Sequence, residues 1–416
     1  MADKKSINKK DNDNNCIFSN ENVNLGHQPE IDYFKTVGVF LIAIVHVYNN
    51  YSLGCLVKVA YFLSLILGAG GSMMQMGIGM KYSKHHDLKN YVSRAFILLT
   101  MGQYVNLIRN ALPNFIAWCI TGNKVYLSRT LLVLESDVLT FAGIAFLFLA
   151  FLKKINLSDK SILIIGIFMN NAAFILYKIK KSPDNFLVSQ FLGYIVFTTN
   201  TESIFPLCSY FMFVAFGYWL GGIYQKIINK DKFYNRILVF CLPPAAIYYY
   251  LRSHYDFPIL PKYITIEIYS LNAGPDAIAS CLANLSALAI YYKIDKILKG
   301  KTPEFIKHAG KYFTQYYIIS YVFTMQMFTF LQATRGEKYT SEMKYPTILG
   351  FTALFLSRIL IDLNNKYIHF TIIGLKNPTR KYIFATIWIT TIITVIYAYP
   401  KVDAYTTMWN DYTYET

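Results

Sequence analysis

The chain has 416 residues, of which 54% are hydrophobic, 17% aromatic and only 15% charged; Lys and Arg outnumber Asp and Glu by 40 to 24, a net charge of +16. A soluble globular chain carries about a quarter charged residues, so this balance excludes a soluble domain and points to an all-α, polytopic integral membrane protein. The cysteines, Cys16, Cys55, Cys119, Cys208, Cys241 and Cys281, stand singly without a CxxC pair, which argues against a zinc site or a disulfide framework and leaves them as packing residues.

The first 30 residues are polar, rich in Lys, Asn and Asp, and lack the apolar core of a signal peptide. They read as a disordered cytoplasmic tail. Residues 31–400 then form one helical membrane domain, followed by a short extracytoplasmic tail at 401–416. Crossing a hydrocarbon core takes about 20 apolar residues. Runs of that kind fall at 36–53, 59–80, 94–116, 137–152, 161–177, 203–223, 235–251, 275–293, 313–332, 346–364 and 382–399, so 10 to 12 transmembrane helices are expected in one bundle. The apolar stretch at 186–199 is too short to cross comfortably and is expected at the interface or as a re-entrant piece.

The distribution of the positive charge decides what it means. With the N-terminus inside, the inner segments 1–35, 81–94, 153–160, 224–236, 293–312 and 365–381 hold 26 of the 40 Lys and Arg, as the positive-inside rule requires. The basicity is therefore topological and calls for no nucleic-acid partner. One outer segment, "YKIKKSPDN" at 177–185, runs against the rule. The expected location is a cytoplasmic membrane of bacterial type.

Span one, "IDYFKTVGVFLIAIVHVYNNY" at 31–51, carries Lys35 near its inner end and His46 well inside it. Eleven residues are about three turns, so both side chains lie on one helix face, separated by about 16 Å of rise. Ionisable groups at membrane depth are costly and turn toward a polar interior. Asn49 and Asn50 continue that face outward. On span three Gln103, Asn106 and Arg109 follow at i, i+3 and i+6, as donors for a substrate or an oxyanion. Glu135 and Asp137 stand at the start of span four, where acidic residues suit the helix dipole. Arg358 and Asp362, four apart, are expected to neutralise each other. The many tyrosines at span ends, as in "TQYYIISYVF", are read chiefly as interfacial anchors.

Lys35, ten residues and His46 on helix one resemble the Arg/Lys-x10-His signature of the acyltransferase-3 family, to which the heparan-α-glucosaminide N-acetyltransferase-like group is related. "MQMGIGMKYSKHHDLKNYVSRAFILLTMGQYVNLIRN", "SDVLTFAGIAFLFLAFLKK" and "FPLCSYFMFVAFGYWLGGIY" are similar to further family segments, so the resemblance touches most of the helical core. Two departures stand out. The family more often has arginine where Lys35 stands, and this chain has Ser320 in "QYYIISY" where many members place a second histidine.

The resemblance implies movement of an acyl group, usually acetyl, from cytoplasmic acyl-CoA to a hydroxyl or amine of a cell-surface carbohydrate or glycolipid, with no tightly bound cofactor. Lys35 and His46 would be catalytic, His46 as a general base or as an acyl carrier. Lys81, Lys84 and Arg94 would bind the coenzyme phosphates at the inner surface, and Asn49, Asn106 and Arg109 the acceptor. An extended pantetheine arm would reach His46 through a tunnel bordered by helices one, two and three. The partners are thus acyl-CoA, the acceptor and membrane lipid. A transporter or flippase, with His46, Arg94 and Arg109 along a substrate path, is the other reading of the same residues.

Overall fold

The computed structural model describes residues 16–51, 63, 67–83, 87–179, 185–196, 204–254, 274–336, 346–368 and 377–402. Among them there is no strand, and the elements are helical throughout. Helix α1 (Pro29–Tyr51) is followed by α2 (Ala69–Tyr82), α3 (Leu88–Asn106), α4 (Leu112–Thr121), the short α5 (Lys124–Arg129), α6 (Val138–Lys154), α7 (Asp159–Ile179) and the short α8 (Phe186–Gly193). Then come α9 (Leu207–Tyr224), α10 (Lys230–His254), α11 (Pro275–Ile297), the short α12 (Glu304–Lys311), α13 (Phe313–Arg335), α14 (Pro346–Leu363) and α15 (Asn377–Ala398). Each expected span carries a described helix. The expected stretch at 186–199 is helical only as the short α8.

Helix starts follow from local chemistry. α1, α11 and α14 open on proline, whose missing N–H costs nothing in a first turn. α1 and α11 add Glu30, Asp32 and Asp276 there, which complement the helix dipole. Asp137 caps α6 by accepting from the Thr140 amide at 2.9 Å. α4 ends at Gly122, whose φ of 67° is the left-handed conformation in which glycine closes a helix.

Five described stretches, Asp159–Leu176, Leu207–Tyr224, Pro275–Ile297, Pro346–Ile368 and Pro378–Lys401, are long and apolar enough to cross a membrane. Large apolar side chains such as Phe168 on α7, Phe240 on α10, Phe355 on α14 and Ile396 on α15 point outward and stay exposed. A water-facing surface would not carry such a girdle; a lipid-facing one requires it. The fold is an all-α membrane bundle.

Ion pairs tie together the helix ends that the charge distribution assigns to the inner side. Lys81 pairs with Asp159 at 2.5 Å, Lys230 with Glu30 at 3.1 Å and Lys296 with Asp231 at 2.7 Å. Residues 16–28, expected to belong to a disordered tail, are packed onto this side. Ile17 is buried, Phe18 bridges to Ile227, and the Ser19 and Val23 amides each donate at 2.8 Å to the carbonyls of Lys226 and Gln225. The apolar pair Ile17 and Phe18 supplies the anchor that the polar composition around it conceals. Cys16 and Cys119 are exposed and Cys281 is buried, so packing describes only some of the cysteines.

At the centre of the bundle α2 and α9 touch backbone to backbone. A Cβ on Gly217 would run into the Met74 carbonyl, and one on Gly77 into the Val214 carbonyl. Small residues at both crossings let the two backbones meet, which is how membrane helices gain packing where no hydrophobic drive exists between them. Gly217→Ala should therefore lower stability by about 1–3 kcal/mol through overpacking. Gly79→Ala on the same α2, where an added Cβ meets nothing within 4 Å, should be neutral or gain up to about 1 kcal/mol of helix propensity. Thermal unfolding of the two variants in detergent checks the contrast.

Candidate functional site

The site begins with an interruption in a helix. Pro113 has no N–H to offer the Arg109 carbonyl, so the ladder of α3 cannot run on unbroken. Between α3 and α4 the residues Leu107–Ala111 form a π-helical turn, with the Leu112 amide bonded to the Leu107 carbonyl five residues back. π turns of this kind are frequent at functional sites. This one carries Arg109, whose side chain is fully buried.

A buried guanidinium must find a counter-charge. Arg109 Nη2 lies 2.5 Å from the Glu135 carboxylate and donates to Asn106 Oδ1 at 2.9 Å. Glu135 also accepts from Asn110 Nδ2 at 3.1 Å. Its position is set by the 3-10 turn Thr130–Leu134 on one side and the Asp137 cap on the other. Asn106 donates to the carbonyls of Val133 (3.1 Å) and Glu135 (2.8 Å). Both amide hydrogens of this expected acceptor ligand are thus engaged, and it fastens the guanidinium in place. Glu135, expected as a dipole-complementing residue, is the partner of Arg109, while Asp137 does serve as the cap.

His46 joins the same group through an aromatic ring. Its imidazole stacks on Tyr321 of α13 with centroids 3.6 Å apart and an interplanar angle of 22°. The Arg109 guanidinium carbon stands 4.1 Å from the centroid of that same ring. Tyr317, one turn earlier, lies 6.4 Å from His46 and donates its hydroxyl to Asp137 at 3.4 Å. One continuous polar group therefore runs from His46 through Tyr321 to Arg109 and Glu135. Within it Arg109 Nε and Nη1, Asn110 Oδ1 and Ser136 Oγ are buried with no hydrogen-bond partner. Chemically, the two guanidinium N–H groups suit a carbonyl or oxyanion, and the amide and hydroxyl oxygens suit a donor.

Lys35 looks onto the same helix. It lines a cavity of about 290 Å³ with Gly310, Lys311, Tyr312, Phe313, Thr314 and Gln315, at the corner between α12 and α13. Lys35 and His46 thus share a face, as their spacing predicts, and the face fronts α13. Both ends of that face front α13, an element the expected tunnel between helices one, two and three did not include.

The other expected coenzyme ligands lie elsewhere. Lys81 is held by Asp159 and sits 4.8 Å over the Tyr218 ring, so its charge is already answered. Arg94 is exposed on α3, and neither residue is among those lining the Lys35 cavity. Lys84 lies outside the described residues, as do His85 and His86. Asn49 is helical, but its side chain lies outside those described.

Three residues escaped the sequence reading. Tyr317 and Tyr321 sit at i, i+4 on a buried face, a spacing visible in "QYYIISY" but absorbed there into the general run of interfacial tyrosines. His308 on α12 is buried, with Nδ1 3.0 Å from the Tyr316 hydroxyl and Nε2 3.0 Å from Asp362. Asp362 in turn accepts from Arg358 Nε at 2.7 Å, as their spacing predicts. Nothing local to His308 signals a partner 54 residues away. Compared with models of protein families, with curated proteins and with solved structures, the chain has no match.

Two outcomes follow from these contacts. Glu135→Gln leaves the Arg109 charge buried without its counter-ion and should cost about 3–5 kcal/mol. Lys81→Gln breaks a pair that is partly open at the surface and should cost about 1 kcal/mol or less; unfolding temperatures in one detergent compare the two directly. The second outcome concerns pH. Burial and the Arg358 guanidinium hold His308 below the ordinary imidazole value of 6.5, against the opposing pull of Asp362 and Glu304. The unfolded chain then binds more protons there, so His308 favours folding fully above about pH 6.5 and progressively less as pH falls below it. His308→Gln should flatten the fall in unfolding temperature between pH 6.5 and more acidic values.

Proposed function

We propose that the chain is a membrane-embedded acyltransferase. It moves an acyl group, acetyl in the simplest case, from cytoplasmic acyl-CoA to a hydroxyl or amine of an extracytoplasmic glycan or glycolipid. On this reading it resides in a bacterial cytoplasmic membrane with the N-terminus inside and belongs with the acyltransferase-3 type of enzyme. The observation that supports it most is the common face of α1. Lys35 opens on a cavity at the inner end, and His46 stands three turns farther along beside a buried arginine with free donors.

In the proposed step the acceptor oxygen or nitrogen attacks the thioester carbonyl carbon, and His46 takes the acceptor's proton. The carbon–sulfur bond breaks, and the proton passes to the departing thiolate, so that acyl acceptor and free coenzyme A leave. In the alternative order the imidazole nitrogen itself takes the acyl group and hands it on. In either order negative charge develops on the carbonyl oxygen, and the uncommitted Nε and Nη1 of Arg109 are the donors suited to it. Tyr321, stacked on the imidazole, fixes the ring plane.

One observation favours the transport reading: the π turn at Arg109 breaks the regular ladder between α3 and α4, and broken helices are typical of transporters. The discriminating experiment is transfer of a radiolabelled acetyl group from acetyl-CoA, added outside inverted membrane vesicles, to an acceptor in the lumen. On the acyltransferase reading the label becomes covalently attached to the acceptor, and His46→Ala, produced at normal yield, lowers the rate by about 10²-fold or more. A well-folded His46→Ala protein with near wild-type transfer would leave His46 a packing residue. Label that never becomes covalent in wild-type vesicles would turn the assignment toward transport.

A further inference from the structure

We infer that the cavity between the inner end of α1 and the α12–α13 corner is a binding site for a phosphate group. It rests on the acyltransferase reading only in the identity of the phosphate, which would then be that of the coenzyme. Two lysines from separate elements line the cavity, Lys35 from α1 and Lys311 from the end of α12, and no carboxylate is among the lining residues. Lys35 is half-buried and has no hydrogen-bond or ion-pair partner among the described residues. Asp32, one turn earlier on α1, pairs with His27 at 2.8 Å and lies behind Gly310 of the lining, so the corner sets two lysines against one carboxylate.

The rest of the lining suits an anion equally. Phe313, Thr314 and Gln315 form the first turn of α13, whose N–H groups have no partners within the helix and carry its positive end. Thr314 and Gln315 add a hydroxyl and an amide donor. Lys311 Nζ stands 4.8 Å over the Tyr312 ring, which positions the ammonium at the rim. The corner is pressed close to α1: a Cβ on Gly310 would come within 2.7 Å of the Asp32 carboxyl group, and Thr36 Oγ1 donates to the Ile306 carbonyl at 3.1 Å. Lys35 thus stands on the α1 side of the cavity and Lys311 at the exposed end of α12. A volume of about 290 Å³ lies at the small end of ligand pockets and fits a phosphate or pyrophosphate better than a whole nucleotide.

The same chemistry occurs in two cytoplasmic sources, the pyrophosphate of coenzyme A and the phosphodiester of an anionic lipid. The test uses the full chain in nanodiscs of phosphatidylcholine, with tritiated coenzyme A as probe and inorganic pyrophosphate as competitor. Lys35→Gln and Lys311→Gln should each weaken coenzyme A binding about tenfold, the loss of one charged phosphate contact. Lys81→Gln, whose ammonium is occupied by Asp159, should bind within about twofold of wild type. A second arm purifies each variant from membranes containing phosphatidylglycerol and measures the lipid retained. Unchanged coenzyme A binding with loss of retained phosphatidylglycerol in both variants supports the phosphate site and assigns it to lipid.

If folded Lys35→Gln and Lys311→Gln proteins bind coenzyme A, pyrophosphate and phosphatidylglycerol as wild type does, the inference is overturned. His46→Ala keeps the cavity intact and should bind coenzyme A normally. Binding that depends on Lys35 and Lys311, without any acyl transfer by the wild-type protein, would sink the enzymatic reading and leave the phosphate site standing.

Discussion

The ion pair between Arg109 and Glu135 is the constraint on which the interior of this bundle depends. A guanidinium buried at this depth is tolerable only if a carboxylate meets it. That requirement reaches into four elements. The π turn after α3 brings Arg109 inward, the 3-10 turn before α6 presents Glu135, Asn106 links the two through backbone carbonyls, and α13 lays Tyr321 against the guanidinium. Tyr321, stacked on His46, ties that ring to the charge pair. Shifting Arg109 by one position would turn its side chain by about 100° and dissolve the arrangement.

The frame around this pair is built from opposite materials. The close approach of α2 and α9 depends on glycine at Gly77 and Gly217, and the outward faces of α7, α10, α14 and α15 carry the large apolar side chains. Apolar bulk on the outward faces inverts the pattern of a soluble helical protein, because lipid rewards it, while close backbone packing holds the helices together. The frame also explains why the charged helix ends gather at one side. With the interior given to packing, Lys81, Lys230 and Lys296 meet their carboxylates only at the edge, where partial hydration lowers the cost of each charge.

What the sequence made legible follows the same division. The bilayer demands long apolar helices, so hydropathy alone places the spans, and an i to i+11 spacing on a helix suffices to put Lys35 and His46 on one face. The spacing of Arg358 and Asp362 likewise announces their pair. Contacts across the bundle leave no such trace. Arg109 and Tyr321, Arg129 and Gln332, and His308 and Asp362 meet through tertiary packing over separations that no local pattern encodes. Composition also misled in two places. Tyrosine abundance at span ends suggested anchors and hid the buried pair Tyr317 and Tyr321, and a polar tail hid the docked Ile17 and Phe18. Lys81 belonged to a basic loop by sequence, yet Asp159, which answers its charge, belongs to the next inner loop.

On the proposed reading the geometry also addresses a problem that any transmembrane group transfer must solve, which is to let a reactive arm through without opening a pore. The inner cavity at Lys35 and the polar group at His46 are joined by one stretch of the α1–α13 contact, about 16 Å long at 1.5 Å per residue. Along it Val39 and Ala43 pack with Tyr316 of α13 and with Leu354 and Ile361 of α14, all buried. An arm threading this contact would have to part packed apolar side chains, which would close to water behind it. The charges stand only at its two ends, cationic at the inner mouth and paired at the outer one. A phosphate held at the first and a carbonyl received at the second would make the length of the arm the measure of the enzyme, since a donor shorter than the passage could bind at Lys35 and Lys311 yet never present its acyl group to His46.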